Sequence, residues 1–101
     1  MVIRTWRGWT RPEDAEAYES YLLRTGFPGY TGTPGNHGVY FTRRQVGDRV
    51  EFFLISLWES WEAIKAFAGE DPSRAVFYLE DDRYLVDKEL TVEHYEVFAS
   101  A

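Results

Sequence analysis

The stretch "EFFLISLWES", residues 51 to 60, decides the fold because it predicts a strand that is apolar on both of its faces. Phe52 and Trp58 share one parity of this strand, whereas Phe53 and Ile55 share the other. Antiparallel sheets commonly bury one face and leave the other to water. A strand of this kind therefore needs two covers, one from the helices of its own chain and one from something else.

The surrounding sequence predicts three further strands. Residues 39–46 and Arg49–Trp58 flank Gly47-Asp48, a short polar connection that suits a β-hairpin. Residues 2–9 and residues 90–98 are rich in β-branched and aromatic side chains, which favour strands. We therefore expect a four-stranded antiparallel sheet.

Two helical regions are predicted between the strands. Thr10 and Glu13 fit a capping box around Pro12, and the helix that follows is predicted to end at Gly26. Its inward stripe would comprise Ala15, Tyr18, Tyr21 and Leu22. Residues 26–38 are so rich in glycine and proline that they predict one long loop.

The second helical region follows the quoted stretch. Ser60 is the predicted cap of a helix that ends before Gly69, and a further helix is predicted to begin at Asp71-Pro72. The inward positions would be Trp61, Ile64, Phe67 and Ala68 in the first helix, and Ala75, Val76 and Leu79 in the second. The acidic stretch "EDDR" at 80–83 predicts a solvated bend rather than a metal site.

The element order is strand, helix, strand, strand, helix, strand, which indicates an α+β, ferredoxin-like βαββαβ fold in a single domain, residues 1–101. Two helices can cover only one side of four strands. A second copy of the same sheet is the simplest cover for the other side, so we expect a homodimer joined through its sheet faces. The alternative is a monomer that folds its tail or its long loop over that face.

Composition excludes several classes of function. The net charge of -6 and the lack of a basic stripe argue against a nucleic-acid partner. The absence of cysteine excludes disulfides and thiolate chemistry, and no His or acidic motif has metal-binding spacing, so no metal is expected. No phosphate-binding glycine fingerprint is present, so no nucleotide cofactor is expected. No apolar run approaches the roughly 20 residues of a membrane span. We expect a cytoplasmic protein with no membrane contact.

Three segments together resemble a known family. "SLWESWEAIKAF" at 56–67, "PGNHGVYFTRR" at 34–44 and "TVEHYEVF" at 91–98 are similar to segments of the antibiotic biosynthesis monooxygenase family, whose members are dimeric α+β barrels. The resemblance spans nearly the whole chain in element order. It implies the same fold, and it matches Trp58 to the tryptophan that family enzymes carry at the end of the third strand, beside a pocket.

The resemblance also limits the set of reactions that we expect this protein to catalyse. The family includes oxygenases that need no metal or flavin, quinol oxygenases and haem-degrading enzymes. The haem-degrading branch uses an asparagine on the first strand and a histidine on the helix after the tryptophan. Residues 2–9 contain no asparagine and residues 61–79 contain no histidine, so haem binding is not expected.

His94 is the candidate base. Of the two histidines, His37 lies among glycines and is typical of a solvated turn, whereas His94 shares its strand parity with Val92 and predicts a partly enclosed side chain. The alternative is a core histidine that a neighbouring carboxylate, Glu93 or Glu96, satisfies.

The predicted active site is aromatic, with Arg4, Trp58 and His94 as catalytic residues. The predicted substrate-binding residues are Trp6, Tyr40, Trp61 and Tyr95. Together they predict a cofactor-independent monooxygenase that acts on small aromatic substrates of the anthrone or quinol type. The alternative is a non-catalytic ligand-binding or structural dimer of the same fold, in which these aromatic side chains are core.

Overall fold

The computed structural model describes residues 1–101 and contains five strands and four α-helices. In chain order the elements are β1 (Val2–Thr10), α1 (Ala15–Arg24), α2 (Gly26–Thr31), β2 (Asn36–Val46), β3 (Arg49–Trp58), α3 (Trp61–Ala68), α4 (Asp81–Tyr84), β4 (Leu85–Lys88) and β5 (Glu93–Glu96). No helix is long and apolar enough to cross a membrane.

The sheet confirms the ferredoxin-like prediction. β3 lies between β2 and β1, and every pairing is antiparallel. β4 and β5 share the remaining edge of β1, where Gly8 pairs with Lys88 and Arg4 pairs with His94. Together, β4 and β5 form the fourth strand of the fold, in two pieces.

The predicted continuous strand over residues 90–98 is wrong because the chain leaves the sheet edge between β4 and β5. Glu89 bonds to Arg7 twice: its carboxylate accepts from Arg7 N at 2.7 Å, and its N–H donates to Arg7 O at 3.0 Å. After Glu89 the chain pairs instead with residues 73–75, and Thr91 forms an isolated bridge with Arg74. Leu90 is consequently exposed.

The predicted capping box before α1 is also wrong. Thr10 is the last residue of β1, is fully buried and donates its hydroxyl to Arg11 O at 2.9 Å. A 3₁₀ turn at Pro12–Asp14 precedes the helix, which begins at Ala15. The predicted inward stripe is confirmed, since Ala15, Tyr18, Tyr21 and Leu22 are all buried.

The first half of the predicted long loop is helical. α2 forms in spite of Pro28, which lies in the first turn where its missing N–H removes no helical hydrogen bond. Tyr30 anchors the helix, with its ring 4.4 Å from the Phe67 ring and 5.4 Å from the Phe41 ring. Aromatic packing of this kind outweighs the poor helix propensity of the segment.

The helix predicted from Asp71-Pro72 does not form. Asp71 Oδ1 accepts hydrogen bonds from both Ser73 N and Ser73 Oγ, which closes a turn, and Leu79 is fully exposed. The predicted acidic bend is wrong as well, because it forms α4 and buries Asp81. We call residues 69–80 the covering segment, since they connect α3 to α4 across the helix side of the sheet.

The two faces of the sheet differ in their cover. Even-numbered residues of β1 and β3 pack against the helices, with Phe52 and Leu54 beside α1 and Trp58 beside α3. The opposite face, which we call the outer face, carries Phe53 and Ile55 among other apolar side chains. No helix packs on the outer face.

Candidate functional site

A buried arginine lies near the middle of β1. Arg4 is only 2% exposed and forms no ion pair with a carboxylate. Its guanidinium donates instead to two carbonyls of the covering segment, from Nη1 to Pro72 O at 2.5 Å and from Nη2 to Arg74 O at 2.9 Å. Burial lowers the pKa of Arg4, because the charged form is poorly solvated. The chain therefore holds a cation without a negative partner.

His94 lies directly against this cation. The pairing of β5 with β1 brings His94 Nε2 within 3.2 Å of Arg4 Nη1. Arg4 can only donate, so Nε2 accepts and the proton of the neutral imidazole lies on Nδ1. Burial, and then the charge of Arg4, lower the pKa of His94. The ring also packs on Trp61, with centroids 4.8 Å apart.

A small cavity lies between the sheet and the covering segment. Its volume is about 20 Å³, which holds a water molecule but no aromatic ligand. Its polar lining comprises the guanidinium of Arg4, the carboxylate of Asp81 and the phenols of Tyr18, Tyr30 and Tyr78. Trp6 and several aliphatic side chains complete the wall.

Asp81 is the acidic group of this cavity. The first residue of α4 is only 4% exposed, and its carboxylate accepts from Tyr18 OH at 3.2 Å and from Tyr78 N at 2.6 Å. Burial raises the pKa of Asp81 and also that of Tyr18, since both charged forms lose solvation. A carboxylate that binds protons more readily than usual thus shares a cavity with an arginine that has no carboxylate partner.

Tyr30 links the two charged groups. Burial raises the pKa of Tyr30 to about 12, and the field of Asp81 acts in the same direction. The positive charge of Arg4 opposes this shift, because it favours the phenolate. Tyr30 is therefore a neutral phenol at pH 7, and the charges of Arg4 and Asp81 both act on its pKa.

Trp58 is part of the core. It ends β3, as the family resemblance implies, and is 0% exposed. Its indole N–H donates to Ser56 Oγ at 2.8 Å, and that hydroxyl donates in turn to the carbonyl of Arg4 at 3.3 Å. The indole N–H is thus engaged, and Trp58 does not line the cavity.

The structure brings only part of the predicted site together. Trp6 lines the cavity and donates its N–H to Glu89 O at 2.8 Å. Its ring packs so closely on Gly8 that a Cβ on Gly8 would lie 2.3 Å from Trp6 Cη2. Tyr40 and Tyr95 lie on the outer face, paired with Ile55 and Ile3 respectively, and are exposed. His37 is an exposed residue of β2. Arg4 and Trp6 thus share the cavity, and His94 contacts Arg4 beside it. Trp61 reaches the site only through the ring of His94 and is exposed, contrary to its predicted inward position.

Sequence reasoning missed four polar residues of the cavity. They are Tyr18, Tyr30, Tyr78 and Asp81. Tyr18 was predicted to be buried but not functional, and Asp81 stands in an acidic run that resembles a solvated surface. Its burial depends on contacts with Tyr18, 63 residues earlier, and no local pattern carries that information. No cluster of three or more His, Asp or Glu side chains is arranged to hold a metal ion.

The comparisons with known proteins concern the fold. No protein-family model and no curated protein sequence matches the chain. A protein of unknown function from Nitrosomonas europaea has a TM-score of 0.68 at 15% identity, over 99% of this chain and 91% of that one. A candidate antibiotic biosynthesis monooxygenase from Bacillus cereus has a TM-score of 0.65 at 14% identity, over 99% and 95%.

A third solved structure extends the comparison to haem chemistry. MhuD, a haem-degrading protein from Mycobacterium tuberculosis solved with two haems in its active site, has a TM-score of 0.59 at 20% identity, over 100% of this chain and 99% of that one. Identities of this size show a shared fold, and one fold hosts different reactions. The chain has the fold of the antibiotic biosynthesis monooxygenase family.

Proposed function

We propose that this protein is a cofactor-independent oxygenase of the antibiotic biosynthesis monooxygenase type, acting on small aromatic substrates such as anthrones or quinols. One observation carries the proposal: Arg4 is a buried cation at a cavity and has no carboxylate partner. A fixed positive charge in a water-poor site stabilises an anion that forms during a reaction, and the structure has already ordered it.

The reaction needs two steps from the protein. A base removes a proton from the substrate, and the resulting anion is held by Arg4. The anion then gives an electron to O2, and the two radicals combine to a peroxide. For an anthrone, one oxygen atom stays as the new carbonyl while the other leaves as water together with the two hydrogens of the oxidised carbon, so atoms and electrons balance.

His94 is the proposed base. Its neutral form is favoured by burial and by Arg4, so Nε2 is available as soon as a substrate oxygen replaces the contact with Arg4. A proton on His94 is unfavourable beside the guanidinium unless a substrate anion lies between them. This arrangement couples proton acceptance by His94 to anion formation at Arg4.

Trp58 and the aromatic residues near it are proposed to support the site. Trp58 fixes Ser56, which holds the carbonyl of Arg4, so the indole acts on the position of the arginine backbone. Trp61 restrains the ring of His94. Trp6 forms part of the cavity wall against which a flat substrate would pack.

We also propose that the outer face joins two copies of the chain. Tyr40 is 66% exposed and Tyr95 is 56% exposed, and they extend the apolar surface around Ile55. An exposed apolar patch on a sheet is typical of an interaction surface. A second copy of the same face is self-complementary and gives a closed two-fold dimer.

The residues present do not fit a haem. The cavity of about 20 Å³ is far smaller than a porphyrin, and the positive charge of Arg4 disfavours an iron cation at His94 Nε2, 3.2 Å away. His94 Nε2 accepts from Arg4, and His37 lies exposed on β2. Haem therefore has no part in the proposed reaction, although MhuD shares the fold.

A second candidate function is a ligand-binding dimer without catalysis. The small cavity and the fully buried, hydrogen-bonded Trp58 favour it, because both are features of a filled core. The two candidates differ in whether oxygen is consumed.

Oxygen uptake with 1,8-dihydroxyanthrone, corrected for its uncatalysed oxidation, tests the proposal. We expect turnover without added metal or flavin, and a fall in kcat of about 10²–10³-fold in Arg4→Met, since an anion-stabilising donor is lost. Arg24→Met removes an exposed arginine of α1 and is the matched control, with unchanged turnover. Binding without oxygen uptake would replace the oxygenase with the ligand-binding candidate, and unchanged turnover in Arg4→Met would refute the role of Arg4.

A further inference from the structure

The backbone of the covering segment supplies part of the hydrogen bonds to the two charged groups of the cavity. Arg4 donates to the carbonyls of Pro72 and Arg74, and Asp81 accepts from the N–H of Tyr78 at 2.6 Å. The segment thus offers an acceptor to the cation and a donor to the carboxylate. It has no helix or strand of its own, so the rest of the protein holds it in place.

Few other backbone hydrogen bonds hold the covering segment, and its side chains add apolar contacts: Ala75 and Tyr78 pack against the core, and the Phe77 ring lies 6.2 Å from the Trp6 ring. The backbone of the segment bonds to the arch between β4 and β5 twice, from Ala75 N to Leu90 O at 3.0 Å and from Val92 N to Ser73 O at 2.9 Å. Near its end, Glu80 N donates to Tyr21 OH at 2.8 Å. A segment held by isolated hydrogen bonds opens at a lower free energy than a strand in a ladder.

We propose that the covering segment is a displaceable internal ligand, and that the site beneath it takes a flat compound that carries both a hydroxyl group and a carbonyl group. The carbonyl of the compound takes the place of Pro72 O at Arg4. Its hydroxyl takes the place of Tyr78 N–H at Asp81. This inference rests on the proposed function only in that the substrate is aromatic, and it names the substrate class.

The exchange explains how a cavity of about 20 Å³ serves an aromatic substrate. A ligand with the same donor and acceptor leaves no buried polar group unpaired, so displacement of the segment costs little beyond its own opening. Since Arg4 Nη1 contacts both Pro72 O and His94 Nε2, a ligand oxygen in place of that carbonyl lies next to the proposed base.

The charges of the site also set its selectivity. A ligand that bears a carboxylate gains at Arg4 but meets the carboxylate of Asp81 across the same cavity. A ligand without a hydroxyl leaves Asp81 Oδ2 without a donor once Tyr78 has moved, while Oδ1 keeps its hydrogen bond from Tyr18 OH. The site therefore favours a neutral hydroxy-carbonyl compound over both its acid and its hydroxyl-free relatives.

Three anthraquinones test this order of affinity on the wild-type protein. The probes are 1,8-dihydroxyanthraquinone, anthraquinone and anthraquinone-2-carboxylate, none of which reacts with O2. We expect the dihydroxy compound to bind at least about 10-fold more tightly than either relative, in line with one unpaired buried polar group. Equal binding of the three, or tightest binding of the carboxylate, would overturn the inference.

Hydrogen exchange shows whether the covering segment moves. Saturation with 1,8-dihydroxyanthraquinone is expected to increase exchange at the Tyr78 amide and at the Ala75 amide, while the amides of β3 keep their protection. Unchanged or slower exchange at Tyr78 in the presence of bound probe would refute displacement.

Asp81→Asn is the matching variant, with Asp82→Asn as its control, because Asp82 is an exposed neighbour that pairs with Lys88. We expect Asp81→Asn to weaken binding of the dihydroxy probe about 10-fold and to increase exchange at the Tyr78 amide before any probe is added. Asp82→Asn changes neither. If Asp81→Asn does not fold, the three wild-type affinities and the wild-type exchange decide the outcome.

The outcomes separate this inference from the proposed function. Probe binding with segment opening, but without oxygen uptake from 1,8-dihydroxyanthrone, supports the site and refutes the oxygenase. Oxygen uptake that persists unchanged in Asp81→Asn, with a fully protected Tyr78 amide, supports the oxygenase and places its chemistry outside this cavity.

Discussion

Replacement of Trp58 by phenylalanine distinguishes a core role of the indole from a role in the reaction. Trp58 is fully buried and donates its N–H to Ser56 Oγ at 2.8 Å. Phenylalanine removes this hydrogen bond, worth about 1 kcal/mol. It also leaves a gap where the larger ring packed against Tyr30 and Phe67, which costs roughly 1–2 kcal/mol more. We expect a total loss of about 2–3 kcal/mol in the free energy of unfolding.

A double-mutant cycle with Ser56→Ala isolates the hydrogen bond. Ser56→Ala alone leaves the buried indole N–H unpaired, whereas the double variant has no indole N–H to leave unpaired. The double variant should therefore lose about 1 kcal/mol less unfolding free energy than the sum of the losses in the two single variants. Urea unfolding at fixed protein concentration measures each corner, and oxygen uptake by Trp58→Phe supplies the second readout. Additive losses would refute the hydrogen bond. A fall in kcat of more than about 10²-fold with unchanged KM would show that the indole N–H acts on the reacting anion instead.

The remaining predictions concern assembly and titration. Ile55→Asp puts a carboxylate on the outer face and is expected to yield a folded monomer in sedimentation equilibrium, whereas the fully exposed control Leu79→Asp remains dimeric; a dimeric Ile55→Asp would refute the interface. Burial raises the pKa of Asp81, so the contribution of this group to stability is present below the unfolded pKa of about 3.9 and is lost as pH rises through the folded pKa. Across that window Asp81→Asn should therefore gain stability relative to wild type. A difference in unfolding free energy between the two proteins that does not change with pH would contradict this prediction. The pKa of His94 is lowered, so the base is neutral down to below pH 6.5 and kcat/KM should fall only on the acid side of that value. His94→Ala should lose this acidic limb of the pH profile together with about 10²–10⁴-fold of turnover. An unchanged pH profile would show that the substrate ionises unaided.

The fold was predictable because local patterns carry it. The short, continuous apolar run of β3, with its aromatic and β-branched side chains, indicates a strand, and the hairpin turn at Gly47-Asp48 forms as predicted, with Gly47 at φ 62°. Ser60 caps α3 as expected, since its Oγ accepts from Ala63 N at 3.2 Å. Each of these signals lies within a few residues of the structure that it specifies.

The wrong predictions concern segments whose structure depends on contacts between residues that are distant in the sequence. α2 contains proline and glycine and still forms a helix, because Tyr30 packs on Phe41 and on Phe67, which lie 11 and 37 positions further along the chain. Asp81 lies in an acidic run and is still buried, because Tyr18 and the Tyr78 N–H bind its carboxylate. Local propensity is a weak guide wherever a side chain finds a distant partner.

The candidate site shows the same division. Parity along the last strand predicted that His94 is partly enclosed, and the pairing of β5 with β1 places it against Arg4. The separation of Tyr40 from Arg4 depends on the strand register, which the sequence does not reveal, because a shift by a single residue would move Tyr40 to the other face of the sheet. The separation of Tyr95 from His94 follows from alternation alone, since the two residues are consecutive on β5 and point to opposite faces.

The free-energy cost of the site is concentrated in the groups that we propose to be functional. A buried guanidinium without a carboxylate and a buried carboxylate without a cation are each unfavourable, and joining them in one direct ion pair would relieve both. The chain instead keeps Arg4 and Asp81 at one cavity and binds each of them in part through backbone groups of a segment that has no secondary structure, with His94 and Tyr18 as the side-chain partners. Backbone groups of such a segment can be withdrawn at small cost, whereas the partners in a direct ion pair would have to be separated first. The arrangement is therefore poor for stability and well suited to exchange with a ligand, which is the pattern expected where function and stability compete.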